Sequence, residues 1–213
     1  MTDTPELEFF YDCSSPWTYF AFTRIIPMVA DMGLLIRWRP ILVGGVFNAV
    51  NKQVYANREA MFSDNENKRR LNYYLKDLQD WAELCGVQTA MPVGHPINSV
   101  KAMRGAFYAQ EQDLLEPYSA AVFKTYWGSQ TPDISNDEVL AGICRQVGLD
   151  AEGFLTAIAD QRYKDLLRQN TDELIARGGY GSPTIFIDGD DMYFGNDRLP
   201  LVEHRLRQRL SRD

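Results

Sequence analysis

The sequence predicts an α/β protein in which a βαβ unit near one end and a ββα unit near the other complete one sheet, with an α-helical domain inserted between the two halves. Three observations predict it. Residues 7–43 read as strand, helix, strand. From about Gly44 to Ala176, apolar residues recur at three- and four-residue steps, as on one face of successive helices. The last stretch returns to two β-rich runs joined by Asp-Gly and followed by one more helix. A βαβ unit must bury its sheet on both faces, and a later ββα unit can complete that sheet. The expected division is 1–44 with 177–213 as the mixed domain and 45–176 as the inserted helical domain.

Taken in order, the first strand is the apolar run Leu7–Tyr11. A helix follows from Pro16 to about Asp31, and Gly33 suits the left-handed residue that closes it. The second strand, Leu34–Ile41, places Ile36, Trp38 and Pro40 on one face and Arg37 and Arg39 on the other. In the inserted part, LNYYLKDLQDWAELCG sets Leu71, Tyr74, Leu75, Leu78, Trp81, Ala82 and Cys85 on one stripe that Gly86 ends. Asn98 or Ser99 is expected to cap the next helix, and Ser135-Asn136-Asp137-Glu138 resembles a capping box. SPTIFIDGDDMYFG reads as a hairpin turning at Asp188-Gly189-Asp190-Asp191. NDRLPLVEHRLRQRL makes a terminal helix with Leu199, Val202, Leu206 and Leu210 inward.

Composition narrows the partners. A net charge of -7 argues against nucleic acid and against an anionic membrane surface, which select for basic patches, but leaves room for a small anion in one local pocket. No secretory signal is read at the N-terminus. The most apolar long segment, residues 19–36, is interrupted by Arg24 and Asp31, so no membrane span is expected. Cys13, Cys85 and Cys144 are odd in number and far apart, which argues against a metal site and a disulfide framework and for a cytoplasmic compartment.

Three short stretches carry the candidate chemistry. In DCSSPWTYFAF, Pro16 at the first helical position leaves Ser15 as N-cap, where the hydroxyl either caps the helix or serves a ligand at its positive end. In GGYGSPTIFI, Pro183 enters a strand directly, so it stands at a strand start or follows an unusual bond. A cis bond there turns the N–H and C=O of Ser182 outward, toward an extended peptide. In FGNDRL, Asn196 is expected to cap the terminal helix, with the first N–H groups forming a carboxylate site and Asp197 beside them for an ammonium. A carboxylate next to an ammonium is what an α-amino acid presents, the γ-glutamyl end of glutathione included.

Ser15-Pro16-Trp17-Thr18-Tyr19 after Tyr11-Asp12, Asn51, the segment at 76–81, Gly181-Ser182-Pro183-Thr184 and Phe194 to Leu199 occur in an order that resembles the 2-hydroxychromene-2-carboxylate isomerases. It is similar, a little further off, to kappa-class glutathione transferases. Both groups belong to the DsbA-like branch of the thioredoxin superfamily, and the resemblance runs from about residue 7 to 210. It implies a thioredoxin-like fold, with a cis proline at 183 facing the first helix. Ser15 stands where oxidoreductase relatives carry the first cysteine of Cys-Pro-Trp-Cys, and Thr18 stands at the second. Disulfide exchange at this turn needs a thiolate, and Cys13 lies two positions too early to supply it.

By the same resemblance, glutathione is the cofactor and lends the missing sulfur. Ser15 then stabilises the thiolate, Pro16 and Trp17 line its site, and Ser182 pairs with the cysteinyl backbone. Asn196 and Asp197 hold the γ-glutamyl end, Asn51 falls near a glutathione-binding asparagine, and Arg70 stands near the glycyl carboxylate. A homodimer is implied too. The implied reaction is reversible thiolate addition to an aromatic enone carboxylate, rotation, and release. Arg39, Lys52 and Arg58 are candidate cations for that carboxylate; of the two histidines, His95 and His204, the first is expected in a loop near the site with a structural role. Two alternatives stay open: a kappa-like glutathione transferase or peroxidase, and a non-catalytic peptide-binding module using Ser182.

Overall fold

The computed structural model describes residues 4–54, 56–57, 68–128 and 132–211. Its sheet has the order β2-β1-β3-β4, from β1 (Leu7–Tyr11), β2 (Ile36–Pro40), β3 (Thr184–Ile187) and β4 (Asp191–Phe194). β1 runs parallel to β2, with Phe9 opposite Trp38, and antiparallel to β3, with Phe9 opposite Ile185. β3 and β4 are antiparallel neighbours. The turn between them uses positive φ at Asp188 (51°) and Gly189 (88°), the backbone pattern of a tight hairpin. The expected βαβ and ββα halves therefore meet in one mixed sheet.

Every residue of β1 is buried, so both faces of the sheet are covered. Leu7, Phe9, Tyr11, Trp38, Ile185 and Ile187 point into the main core, which α1 (Pro16–Asp31) and the terminal helix α9 (Leu199–Leu210) share with the inserted helices. On the other face, Phe10 and Phe186 meet edge to face at 5.6 Å and pack with Val46 of α2 (Val43–Val50) and Leu174 of α8 (Gln161–Ala176). Removing a buried ring of this kind to alanine costs about 3–5 kcal/mol, part of it the cavity left behind.

Between β2 and β3 also lie α3 (Lys68–Cys85), α4 (Val100–Glu111), α5 (Leu115–Trp127), α6 (Asp137–Val147) and α7 (Ala151–Ala159). α3 lies against α1 through Leu78, Ala82 and Phe20, with Trp17, Tyr74 and Trp81 around them. Leu75, placed on the buried stripe by periodicity, is 41% exposed.

Three local expectations shift. β2 begins at Ile36 rather than Leu34, because the Leu34 N–H closes α1 by donating to Val29 C=O past Gly33, whose φ is 67°. α6 is capped by Asn136, whose Oδ1 accepts from Glu138 N–H at 2.8 Å, in place of a box starting at Ser135. Ser99 occupies the N-cap position of α4 without a capping bond, while Asn98 Oδ1 accepts from Val100 N–H at 3.0 Å. Ser99 turns inward instead, for a reason found at the site. Among the described residues no helix is long and apolar enough to cross a membrane.

Candidate active site

The chain leaves β1 at Tyr11 and turns through Asp12-Cys13-Ser14 into α1. Ser15 is extended (φ −103°, ψ 122°) and caps that helix, its Oγ accepting from Thr18 N–H at 3.3 Å. The same hydroxyl donates to the C=O of Ser182 at 3.1 Å. The Ser182–Pro183 peptide is cis, as the resemblance implied. Ser182 Oγ accepts from Asp12 N–H at 2.9 Å and lies 2.8 Å from Thr18 Oγ1. Three side chains, those of Ser15, Thr18 and Ser182, with the Asp12 N–H thus stitch the start of α1 to the start of β3. The Ser182 carbonyl thus already accepts one hydrogen bond from within the protein, and Ser182 borders a cavity in front of this turn.

Asp12 is fully buried behind this turn. Its Oδ1 accepts from Ser14 N–H at 2.9 Å, and its Oδ2 accepts from Val43 N–H at 2.8 Å and Ser99 Oγ–H at 3.0 Å. Val43 opens α2 and Ser99 precedes α4, so one carboxylate joins the starts of three helices. Burial pushes its pKa up, and the hydrogen bonds from Ser14, Val43 and Ser99 oppose that push without cancelling it.

In front of the turn lies a cavity of about 770 Å³, within the range of roughly 300–1,000 Å³ usual for small-molecule sites. Ser15, Pro16 and Trp17 border it, as do the starts of α2 and α4, Tyr74 of α3, His95, Tyr180, Ser182 and Phe194. Tyr180 and Phe194 form one wall, their ring centroids 4.5 Å apart. No Lys, Arg, Asp or Glu stands among the described lining residues. The positive ends of three helices converge there instead, partly offset by the Asp12 carboxylate behind them.

Of the expected residues, the cavity brings together Ser15, Pro16, Trp17, Asn51 and Ser182. It does not include Asn196 or Asp197. Asn196 is buried and turned toward α1, where its C=O and Oδ1 accept from Arg24 Nη1 at 3.1 and 3.4 Å. Residues Asn196–Arg198 form a 3₁₀ turn after Gly195 (φ 103°), and α9 starts only at Leu199 with no side-chain cap. Asn196 is therefore not the cap of the terminal helix. Asp197 is exposed and paired with Arg198 at 3.4 Å.

The expected cations fare no better. Arg39 is buried on the far side of the sheet, held by Glu8 at 3.4 Å and by Glu173. Lys52 and Arg70 are exposed and do not border the cavity, and Arg58 lies outside the described residues. His204 is exposed on α9, whereas His95 borders the cavity.

Cys13 cannot stand in for a catalytic thiol. It is buried, and burial pushes its pKa well up. Its N–H faces Met103 Sδ at 3.4 Å and its C=O accepts from Trp127 Nε1 at 2.8 Å. Thr18, at the place of a second cysteine, is wholly buried against Ser182.

A thioredoxin-like sheet with helices inserted before the cis-proline strand defines the class, and comparison with known proteins agrees. The profile of the DSBA-like thioredoxin domain matches residues 6–207, so the chain belongs to the DsbA-like thioredoxin family. Its place there is with the 2-hydroxychromene-2-carboxylate isomerases. The enzyme of that name from Pseudomonas putida is 30% identical over 92% of this chain and 92% of its own length. The solved structure of a 2-hydroxychromene-2-carboxylate isomerase superposes with a TM-score of 0.79 at 28% identity, covering 95% of this chain and 94% of that one. Glutathione S-transferase kappa 1 of Rattus norvegicus is 26% identical over 95% of this chain and 91% of its own.

Proposed function

We propose that this chain is a cytoplasmic, homodimeric, glutathione-dependent cis–trans isomerase acting on aromatic carboxylates of the 2-hydroxychromene-2-carboxylate type. The observation that carries the reading is the Ser15 hydroxyl, held at the start of α1 on the wall of a cavity large enough for a tripeptide and an aromatic acid. The donor set fits glutathione: a hydroxyl and a helix end for its sulfur, the Ser182 backbone for its peptide, and the Asn51 amide on the same wall. Similarity to kappa-class glutathione transferases supports the cofactor. When bound, glutathione supplies a thiolate that adds reversibly to the enone carbon, so that a double bond becomes a single bond free to rotate.

The protein's part in this is electrostatic. To face a sulfur anion, the Ser15 hydroxyl turns its proton away from the Ser182 carbonyl, exchanging one hydrogen bond for a stronger one. A neutral bond contributes roughly 0.5–1.5 kcal/mol and one to an ion roughly 1.5–3. The net gain of about 1–1.5 kcal/mol lowers a thiol pKa by about one unit from its usual value of roughly 8.5. Thr18 N–H still donates to the Ser15 oxygen, which makes that hydroxyl a better donor. With Asn196 turned toward Arg24 and Asp197 outside the cavity wall, a role for them at the γ-glutamyl end requires the ligand to extend toward the 3₁₀ turn. The transferase reading comes second, on the kappa-class similarity alone.

Ser15→Ala is the test. Glutathione binding, followed by calorimetry, is expected to persist while turnover of 2-hydroxychromene-2-carboxylate, followed in the ultraviolet, falls at least tenfold, or about 1.4 kcal/mol in the barrier. Unchanged turnover reduces the hydroxyl to a helix cap. Glutathione depleted mole for mole with substrate makes the chain a transferase.

A further inference from the structure

We propose that His95 is the acid–base residue that opens the hemiketal ring of such a substrate, with Tyr126 as its positioning residue. The inference rests on the isomerase reading above and adds a step that sulfur chemistry cannot perform. In a 2-hydroxychromene-2-carboxylate, C2 carries a hydroxyl, a carboxylate and the ring oxygen. Opening removes the hydroxyl proton and turns that O–H electron pair into the carbonyl bond. The pair of the C2–O ring bond leaves with the phenolic oxygen, which takes up a proton. One proton moves between two neighbouring oxygens, and nothing is oxidised or reduced.

That transfer calls for one side chain able to accept and return a proton near neutral pH, and imidazole is the side chain whose ordinary range lies there. His95 is the only His, Asp, Glu, Lys or Arg among the described residues that border the cavity. Ser15 cannot fill the role, since an alcohol is no base at this pH. The His95 ring is also held in place. Its Nδ1 lies 2.5 Å from the hydroxyl of Tyr126, which α5 buries to 1% exposure, and its ring centroid is 5.0 Å from that of Trp127. A tyrosine hydroxyl donates or accepts, so this contact survives a change in the imidazole's protonation. No local pattern pairs the two residues, because Tyr126 lies 31 residues away and belongs to another element.

The experiment compares two substrates on one protein preparation. One is 2-hydroxychromene-2-carboxylate. The other is cis-benzylidenepyruvate, which lacks the ortho hydroxyl, cannot close into a hemiketal and needs only the thiolate step. In His95→Gln, turnover of the first is expected to fall at least tenfold and turnover of the second less than twofold. Tyr126→Phe is expected to shift the same ratio in the same direction by about threefold. The ratio is independent of how much variant protein folds, so poor folding does not imitate the result. An active wild type whose His95→Gln variant leaves the ratio unchanged overturns this assignment alone. A wild type inert toward both compounds overturns the isomerase reading and this assignment with it.

Discussion

Glu8 and Asp12 sit four residues apart at opposite ends of the same strand, both buried, and the chain treats the two carboxylates differently. Glu8 is met by cations: Arg177 at 2.6 Å, Arg39 at 3.4 Å and Arg37 at 3.7 Å. Arg177 also lies over the Phe186 ring at 3.9 Å, so the cluster ties β1, β2, β3 and α8 together. Asp12 is met by neutral donors alone among its hydrogen bonds, a serine hydroxyl and two backbone N–H groups. Ion pairing at one end makes a structural clasp on the face away from the cavity. Dipolar pairing at the other leaves a carboxylate whose charge costs energy, and it stands directly behind residues that border the cavity.

Removing one member of a buried ion cluster strands the others, at about 3–5 kcal/mol. Glu8→Ala is therefore expected to lower unfolding free energy by about 3 kcal/mol in urea titrations, while turnover per folded molecule stays as in the wild type. A loss of turnover beyond the loss of folded protein would erase the distinction between the two ends. Asp12→Asn is expected to cost less, about 2 kcal/mol, because one oxygen still accepts while the amide N–H₂ faces donors that it cannot pair. Here turnover should fall as well, since the starts of α1, α2 and α4 lose their common anchor.

The pH dependence sharpens the same contrast. The folded-state pKa of Asp12 lies above its ordinary value of 3.8, so the folded protein binds a proton more tightly there than the unfolded chain does. Its ionisation thus costs stability as pH rises through the folded pKa, and the cost vanishes as pH falls toward 3.8. The penalty of Asp12→Asn should therefore be larger at the acid end of that window than at neutrality, as paired urea midpoints would reveal. A flat difference would mean that the carboxylate carries no such cost. The smallest effect is expected far from either end: Asn136→Ala removes the cap of α6 for about 1 kcal/mol, with turnover untouched.

What could be read from sequence follows the range of the interactions involved. Strand-length apolar runs, the Asp-Gly turn and Ser15-Pro16 are local signals, and the strands, the hairpin and the Ser15 cap follow from them, whereas the opposition of Ser15 to Ser182 across the chain is legible only through the family resemblance. The neighbours of Asn196 point to a helix cap, but Arg24, 172 residues earlier, redirects it. Arg39 reads from the sequence as a candidate cation or a solvated charge, because its partners, Glu8 and Glu173, come from other elements. Asp12 carries a local signal of its own: an acidic residue following directly on a buried strand needs donors from elsewhere, and Val43 and Ser99 are those donors.

The threonine lodged behind the Ser15 turn limits how this scaffold can be re-engineered. A cysteine placed at position 15 would regain an exposed sulfur at a helix start. It would find no partner able to close a ring with it: Thr18 holds the second place, and Cys13 is walled in. Such a protein would come to rest as a mixed disulfide by exchange with the first small disulfide it met, the other half leaving as a thiol. Return to dithiol redox work therefore requires at least two changes, the second of them inside the packed interior.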